Sequence, residues 1–355
     1  MPVSRSLIAP TANPLLERAL RDKLKRRSET TGKLGELEPL AVRLGLVQNS
    51  LKPRFKAPQI ALFASDHGLA VDGVGAPGQP STARLVNSLL TSQLPVSVFA
   101  RIQGMDLNVV DCGVAEAVAP HPRLMARKIA HGTRNSRVNV AMTLDQAHAA
   151  IRAGMEIADA MGGNLIACAG IGVGSHESAA LVLAALTGEP VRNLVATPAL
   201  APEDEGRLMM VLQAAQSRHR ELTDPVEVLA AYGGFEIAMM VGVMLVASSK
   251  RHLIMVDGMP ACAALMVASR IAPTVTDYCV FCRSHGHPGL STTLGLFKTL
   301  ALLELGMEST DGTGATLAFP LVLSSAALLT EVAEGEDAGP SQPADITPSG
   351  SSRLQ

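Results

Sequence analysis

Apolar positions recur along this chain at two spacings, and each spacing names its element. Leu15, Leu16, Leu20 and Leu24 follow helical spacing, so residues 13–30 predict a helix with a polar face. LGELEPLAVRLGL, over 34–46, predicts a second helix interrupted by Pro39. QIALFA, over 59–64, is a short continuous apolar run ending in Ser65-Asp66-His67-Gly68, the pattern of a buried strand with polar residues at its carboxyl end. The same criteria predict strands at 107–111, 164–169, 191–196 and 253–256, and helices at 82–103, 144–161, 175–186, 203–219, 225–232 and 235–248. Strands that each feed a helix mean right-handed crossovers, hence an α/β fold with a mostly parallel sheet and flanking helices.

In such sheets ligands bind at the carboxyl ends of the strands. Asp66, His67, Asp111, Gly172, Gly174, Ser175 and Asp257 lie at those ends and should line one crevice. The stretch ESTDGTGATLAFPLVLSSAALLTEV, over 308–332, adds an acid, a glycine turn and a long apolar helix. The turn Asp311-Gly312-Thr313-Gly314 lets backbone approach a ligand closely where a helix N-terminus points its N–H groups. The competing reading is that Asp311 only caps that helix.

Composition narrows the class. With 355 residues, 47% hydrophobic content and a mean hydropathy of +0.25, the chain can bury a large core. A net charge of −2, a pI near 6.5 and 3% aromatics without Trp leave no surface suited to nucleic acid. The apolar stretches at 237–248 and 315–329 stop short of a membrane span or carry Ser and Pro, so no membrane segment is expected. Five cysteines, an odd number, and no apolar leader at the start point to a reducing cytoplasm. Residues 334–355, acidic and rich in Pro, Ser and Gly, are expected to be disordered.

Gly170-Ile171-Gly172-Val173-Gly174 lacks the dinucleotide fingerprint spacing, but a glycine turn followed by Ser175 at a helix start suits a phosphate. Cys279, Cys282, His285 and His287 have the residue types of a zinc site. Their spacing would wrap a tetrahedron within one turn, so a polar loop with buried cysteines and no metal is expected. G-x-S-x-G, a Walker loop and H-E-x-x-H are all lacking, which removes the common hydrolase, nucleotide-hydrolase and metalloprotease readings.

Several motifs together carry a resemblance: Gly32–Glu38 (GKLGELE), Asp66-His67-Gly68, Val110–Val114, His131–Met142, Gly233–Leu245, Val256-Asp257-Gly258 and Asp311–Pro320. The chain resembles the nicotinate-nucleotide:dimethylbenzimidazole phosphoribosyltransferases of cobalamin lower-ligand synthesis, from residue 32 to about 332. The resemblance implies a Rossmann-like α/β domain over 55–305. A small helical domain would be built from both chain ends, 1–50 and 306–333. It implies a homodimer without a cofactor, using nicotinate mononucleotide and an aromatic base as small-molecule substrates. It places Asp311 where the family has the glutamate that takes the acceptor's proton. Asp66, His67, Gly172, Gly174, Ser175, Asp257, Gly312, Thr313 and Gly314 become substrate-binding candidates.

The likeness also has gaps. Where the family has G-E-M-G-I-G-N-T-T, this chain reads AGIGVGSHE, so a second active-site glutamate is replaced by Gly170, and the phosphate-binding lysine corresponds to Met210. Two further readings follow: a relative with a different acceptor or donor, or a non-catalytic subunit paired with an active paralogue.

Overall fold

The computed structural model describes residues 8–75, 78–195, 202–284 and 288–332. Seven strands are seen among them: β1 (Gln59–Ser65), β2 (Asp106–Gly113), β3 (Leu124–Ala126), β4 (Leu165–Ile171), β5 (Leu253–Val256), β6 (Cys279–Ser284) and β7 (Ala301–Glu304). They form one sheet in the order β3-β2-β1-β4-β5-β6-β7, and every neighbouring pair is parallel. The helices of the first half are α1 (Pro14–Thr31), α2 (Leu37–Val47), α3 (Thr82–Leu90), α4 (Pro95–Ile102), α5 (Leu144–Ala160) and α6 (Ser175–Thr187). The second half adds α7 (Pro202–Arg218), α8 (Pro225–Tyr232), α9 (Phe235–Ser249), α10 (Met259–Ile271), α11 (Pro288–Leu296) and α12 (Thr313–Thr330).

The chain runs outward from β1 through β2 to β3, then returns to place β4 on the other side of β1. This makes the β1/β4 boundary the point where strand order reverses, and such a boundary opens a crevice above the carboxyl ends. β1 and β4 are buried on both faces, as their continuous apolar runs require. α9 is apolar all round and covered along most of its length, with Glu236 its only charged side chain. α5 crosses α9 at two glycines. A Cβ on Gly154 would stand 1.9 Å from the Met239 carbonyl oxygen, and one on Gly242 would stand 2.0 Å from that of Ile151. Gly154→Ala should therefore force the helices apart and cost at least the upper part of the ~1–3 kcal/mol usual for overpacking. Urea unfolding measures it, and an unchanged midpoint would refute the close crossing.

A second, smaller apolar cluster joins the chain ends: Leu20 and Leu24 of α1, Ala41 and Val42 of α2, and Leu329 of α12. By length and composition alone α12, at 18 residues, could cross a membrane, but 56% of it is buried inside the fold, as in a core helix. It contains Pro320 and packs against α2, α4 and β6.

Several sequence expectations change. The helix expected over 82–103 is two, α3 and α4, because Ser92 turns left-handed (φ 59°) and Leu94 is held extended before Pro95. Pro39 does not interrupt α2 but sits in its first turn, where its missing N–H costs nothing. Val191–Asn193 is a single 3-10 turn after Pro190 rather than a strand. Cys279–Ser284, read as a loop, is strand β6. Cys279 and Cys282 are buried in it three residues apart, hence on opposite faces. His285, His287 and the 334–355 segment lie outside the described residues.

Candidate active site

Every acid expected at the sheet's carboxyl edge is found there, but the acids sort into separate groups. Asp111, at the end of β2, faces Lys128 at 3.3 Å and accepts from the Val114 N–H at 2.9 Å. Asp66 ties three segments together. Its Oδ1 accepts from the Thr82 hydroxyl at 2.5 Å, its Oδ2 from the Ala115 N–H at 2.7 Å, and its carbonyl from the Thr133 N–H at 3.0 Å.

Beside it, His67 Nε2 lies 2.9 Å from Glu236 Oε1, which also accepts from the Ser175 hydroxyl at 2.8 Å. All three side chains are buried, and His67 Nδ1 and Glu236 Oε2 have no hydrogen-bond partner among the described residues. Burial disfavours a charged His67, but the Glu236 carboxylate outweighs it, aided by Asp66 and Glu177, so the imidazole titrates above its ordinary value. A proton held more tightly when folded stabilises the fold fully below about pH 6.5, and that stability is lost as pH rises through the folded value. Glu236→Gln should therefore make stability fall less steeply as pH rises above about 6.5 than in the wild type. Identical slopes in urea titrations would remove the pair from this role.

The other group surrounds Asp311. Arg283, at the end of β6, donates from Nε to Asp257 Oδ1 at 3.0 Å and from Nη2 to Asp311 Oδ1 at 2.5 Å. Its Nη1 reaches the Ser309 carbonyl at 3.2 Å. The second Asp311 oxygen meets His176 Nε2 at 2.8 Å. The second Asp257 oxygen accepts from the N–H groups of Gly312, at 2.6 Å, and Ala315, at 3.3 Å. Asp257, not Asp311, thus satisfies the first turn of α12, and the Asp311 carboxylate points across at α6 instead.

The glycines make this convergence feasible. A Cβ on Gly258 would lie 2.2 Å from the Asp311 carboxyl carbon, and one on Gly314 would lie 2.6 Å from Asp257 Oδ1. Gly172 (φ 153°) lets β4 pass the Ser65 carbonyl, which a Cβ would meet at 1.8 Å. Gly174 has φ 84° and begins α6.

Several residues expected to touch a substrate are therefore occupied internally. The Ser175 hydroxyl is spent on Glu236, the Gly312 N–H on Asp257, and the Thr313 hydroxyl on the Thr310 carbonyl. The first turn of α6 joins both groups, Ser175 reaching one and His176 the other. Sequence reasoning did not single out His176, Glu236 or Arg283. His176 and Glu177 stand at the helix start already identified, and burial pushes the Glu177 carboxyl up despite His176 and His67 nearby.

Comparison with known proteins fits this geometry. A family model described as phosphoribosyltransferase matches residues 9–339. The nicotinate-nucleotide–dimethylbenzimidazole phosphoribosyltransferase of Cupriavidus taiwanensis is 40% identical over 331 residues, covering 92% of this chain and 94% of that relative. This chain is a member of that phosphoribosyltransferase family. The enzyme of the same name from Dechloromonas aromatica is also 40% identical, over 332 residues, covering 91% of this chain and 95% of that relative. A crystal structure of the phosphoribosyltransferase from Thermus thermophilus superposes with a TM-score of 0.83 at 30% identity, covering 90% of this chain and 96% of the other.

Within this phosphoribosyltransferase, Gly170 is buried in β4, and a Cβ there would stand 2.6 Å from Pro260 Cβ and 3.1 Å from Met240 Cε. Any side chain at this position would press on both neighbours. Met210 is exposed on α7, after residues 196–201, which lie outside the described residues.

Proposed function

We propose that this protein transfers the ribosyl phosphate of nicotinate mononucleotide to a ring nitrogen of a benzimidazole-type base, releasing nicotinate and forming an α-riboside phosphate for cobalamin synthesis. One observation carries the reading. The Asp311 carboxylate is held at the carboxyl edge of the sheet, against the first turn of α6, at the position where the resemblance puts the family's proton-removing acid. Pyridinium is already a good leaving group, so the protein has to position the two substrates, stabilise charge at the anomeric carbon and receive one proton.

In this reading the phosphate docks at the turn that leads into α6, formed by Gly172, Gly174 and Ser175, where a helix N-terminus favours an anion. Asp66, His67, Asp257, Gly312, Thr313 and Gly314 border the site and fix its shape through the bonds described above.

The crowding around Gly170 and the shorter acid at 311 favour a second reading in which the acceptor differs from dimethylbenzimidazole. Both readings place the protein in the cytoplasm as a homodimer, and light scattering on the purified chain tests the oligomeric state. Incubation with nicotinate mononucleotide and a panel of benzimidazoles, purines and phenols should release nicotinate and give a new riboside phosphate by mass. The base with the highest kcat/KM separates the two readings, and no release with any base refutes both.

A further inference from the structure

Asp311 is held too firmly to take a proton by itself. Each of its oxygens already faces a cationic or ionisable donor, Arg283 Nη2 on Oδ1 and His176 Nε2 on Oδ2, and its side chain is only 3% exposed. A proton arriving on either oxygen would disrupt a buried charge pair, a costly contact to break. The imidazole beside it is placed differently. His176 stands on the first turn of α6, its side chain is 42% exposed, and histidine is the side chain whose unperturbed titration lies closest to neutrality. An aspartate is also one methylene shorter than a glutamate, so its carboxylate falls roughly 1.5 Å short of the longer acid's position, and a ring set in front of it restores that reach.

We propose, resting on the phosphoribosyl-transfer reading above, that His176 is the group that receives the acceptor's proton, and that Asp311 positions it. With Nε2–H donated to Asp311 Oδ2, the imidazole carries its lone pair on Nδ1. One ring nitrogen of the base attacks the anomeric carbon. The bond from that carbon to the pyridinium nitrogen breaks, and its electron pair stays on nicotinate. The N–H proton of the base's other ring nitrogen passes to Nδ1, and the imidazolium formed is stabilised by the Asp311 carboxylate, itself paired with Arg283. The proton then returns to solvent from the exposed edge of the ring. Balance requires no other reactant.

The charges facing His176 agree in sign with this role. Asp311 lies before α12, Glu177 on α6 itself and Arg283 at the end of β6. The partial burial of the ring works against the imidazolium and Arg283 adds to that, but the two carboxylates outweigh both, so the ring titrates above its ordinary value. A base must be neutral to act, so turnover should rise with pH through that raised value.

The test uses the full chain and follows nicotinate release from nicotinate mononucleotide with dimethylbenzimidazole, or with the best base of the panel. His176→Gln should lower kcat about 10²–10⁴-fold while leaving KM for the nucleotide nearly unchanged, and should abolish the rising limb of the pH profile. Added imidazole should restore part of the turnover of His176→Ala, which a merely structural role for the ring would not allow. An active wild type whose Gln variant keeps kcat and the rising limb, or whose Ala variant gains nothing from imidazole, overturns this assignment alone. An inert wild type overturns the transfer reading and this inference with it.

Discussion

Asp311→Asn lowers nicotinate release about 10²–10⁴-fold, the range for disabling a general base. The amide keeps the shape of the acid but not its charge. His176 Nε2, 2.8 Å away, then loses the carboxylate that fixes its tautomer and stabilises its protonated form. Stability changes as well, and here the structure alters the expected magnitude. Read only as a helix cap, Asp311 could become Asn for less than about 1 kcal/mol. Because Asp257 satisfies α12 and Asp311 instead pairs with Arg283, the substitution leaves a buried guanidinium with one carboxylate in place of two. The loss should be about 1–3 kcal/mol, the usual cost of an unmade buried polar contact. Turnover and urea unfolding of the same preparation separate the two effects, and unchanged turnover would remove Asp311 from the chemistry.

Arg283→Met has the largest expected effect on stability, about 3–5 kcal/mol near neutral pH. It leaves Asp257 and Asp311 buried side by side without their shared cation. Burial already pushes the Asp257 carboxyl above its ordinary value, with Asp311 adding to it, and Arg283 is the first influence that opposes the rise. Without Arg283 the folded value moves further above the unfolded one, so stability is lost as pH rises through it and is partly recovered when the carboxyl protonates. The deficit relative to wild type should be smaller at about pH 5 than at about pH 8. Arg283→Lys keeps a charge but not the two-pronged geometry, and should fall between the two proteins. An equal deficit at both pH values would argue against an unpaired carboxylate as the cause.

The strands legible in the sequence are those with unbroken apolar runs. β1, β2, β4 and β5 combine such runs with acids or glycines just beyond them, and burial on both faces produces that pattern. β3 and β7, of three and four residues at the sheet edges, are too short and too mixed to stand out. β6 is masked by its two cysteines, which draw attention to metal chemistry, and with it goes Arg283, whose position at a strand end would otherwise mark it. The site is legible as a set of acids, Asp66 and Asp257 at strand ends and Asp311 before a helix, because local turn chemistry announces them. Their pairing is not. Which acid caps α12 and which faces α6 depends on contacts between residues 55 and 135 positions apart (257 to 312 and 176 to 311), and no local pattern records those contacts.

Gly170 constrains what substitution can do to this site next. Even a Cβ there would meet Pro260 at 2.6 Å and Met240 at 3.1 Å, and Pro260 lies in the first turn of α10 while Met240 lies in the buried part of α9. Restoring the acid in one step would drive a charged side chain into two apolar neighbours, so Pro260 or Met240 must shrink first, and shrinking either alone leaves a cavity without gaining the acid. The path back is uphill at each single step. Position 170 therefore works as a ratchet that resists an acid, and change at this site is easier at positions outside β4, such as His176 at the start of α6.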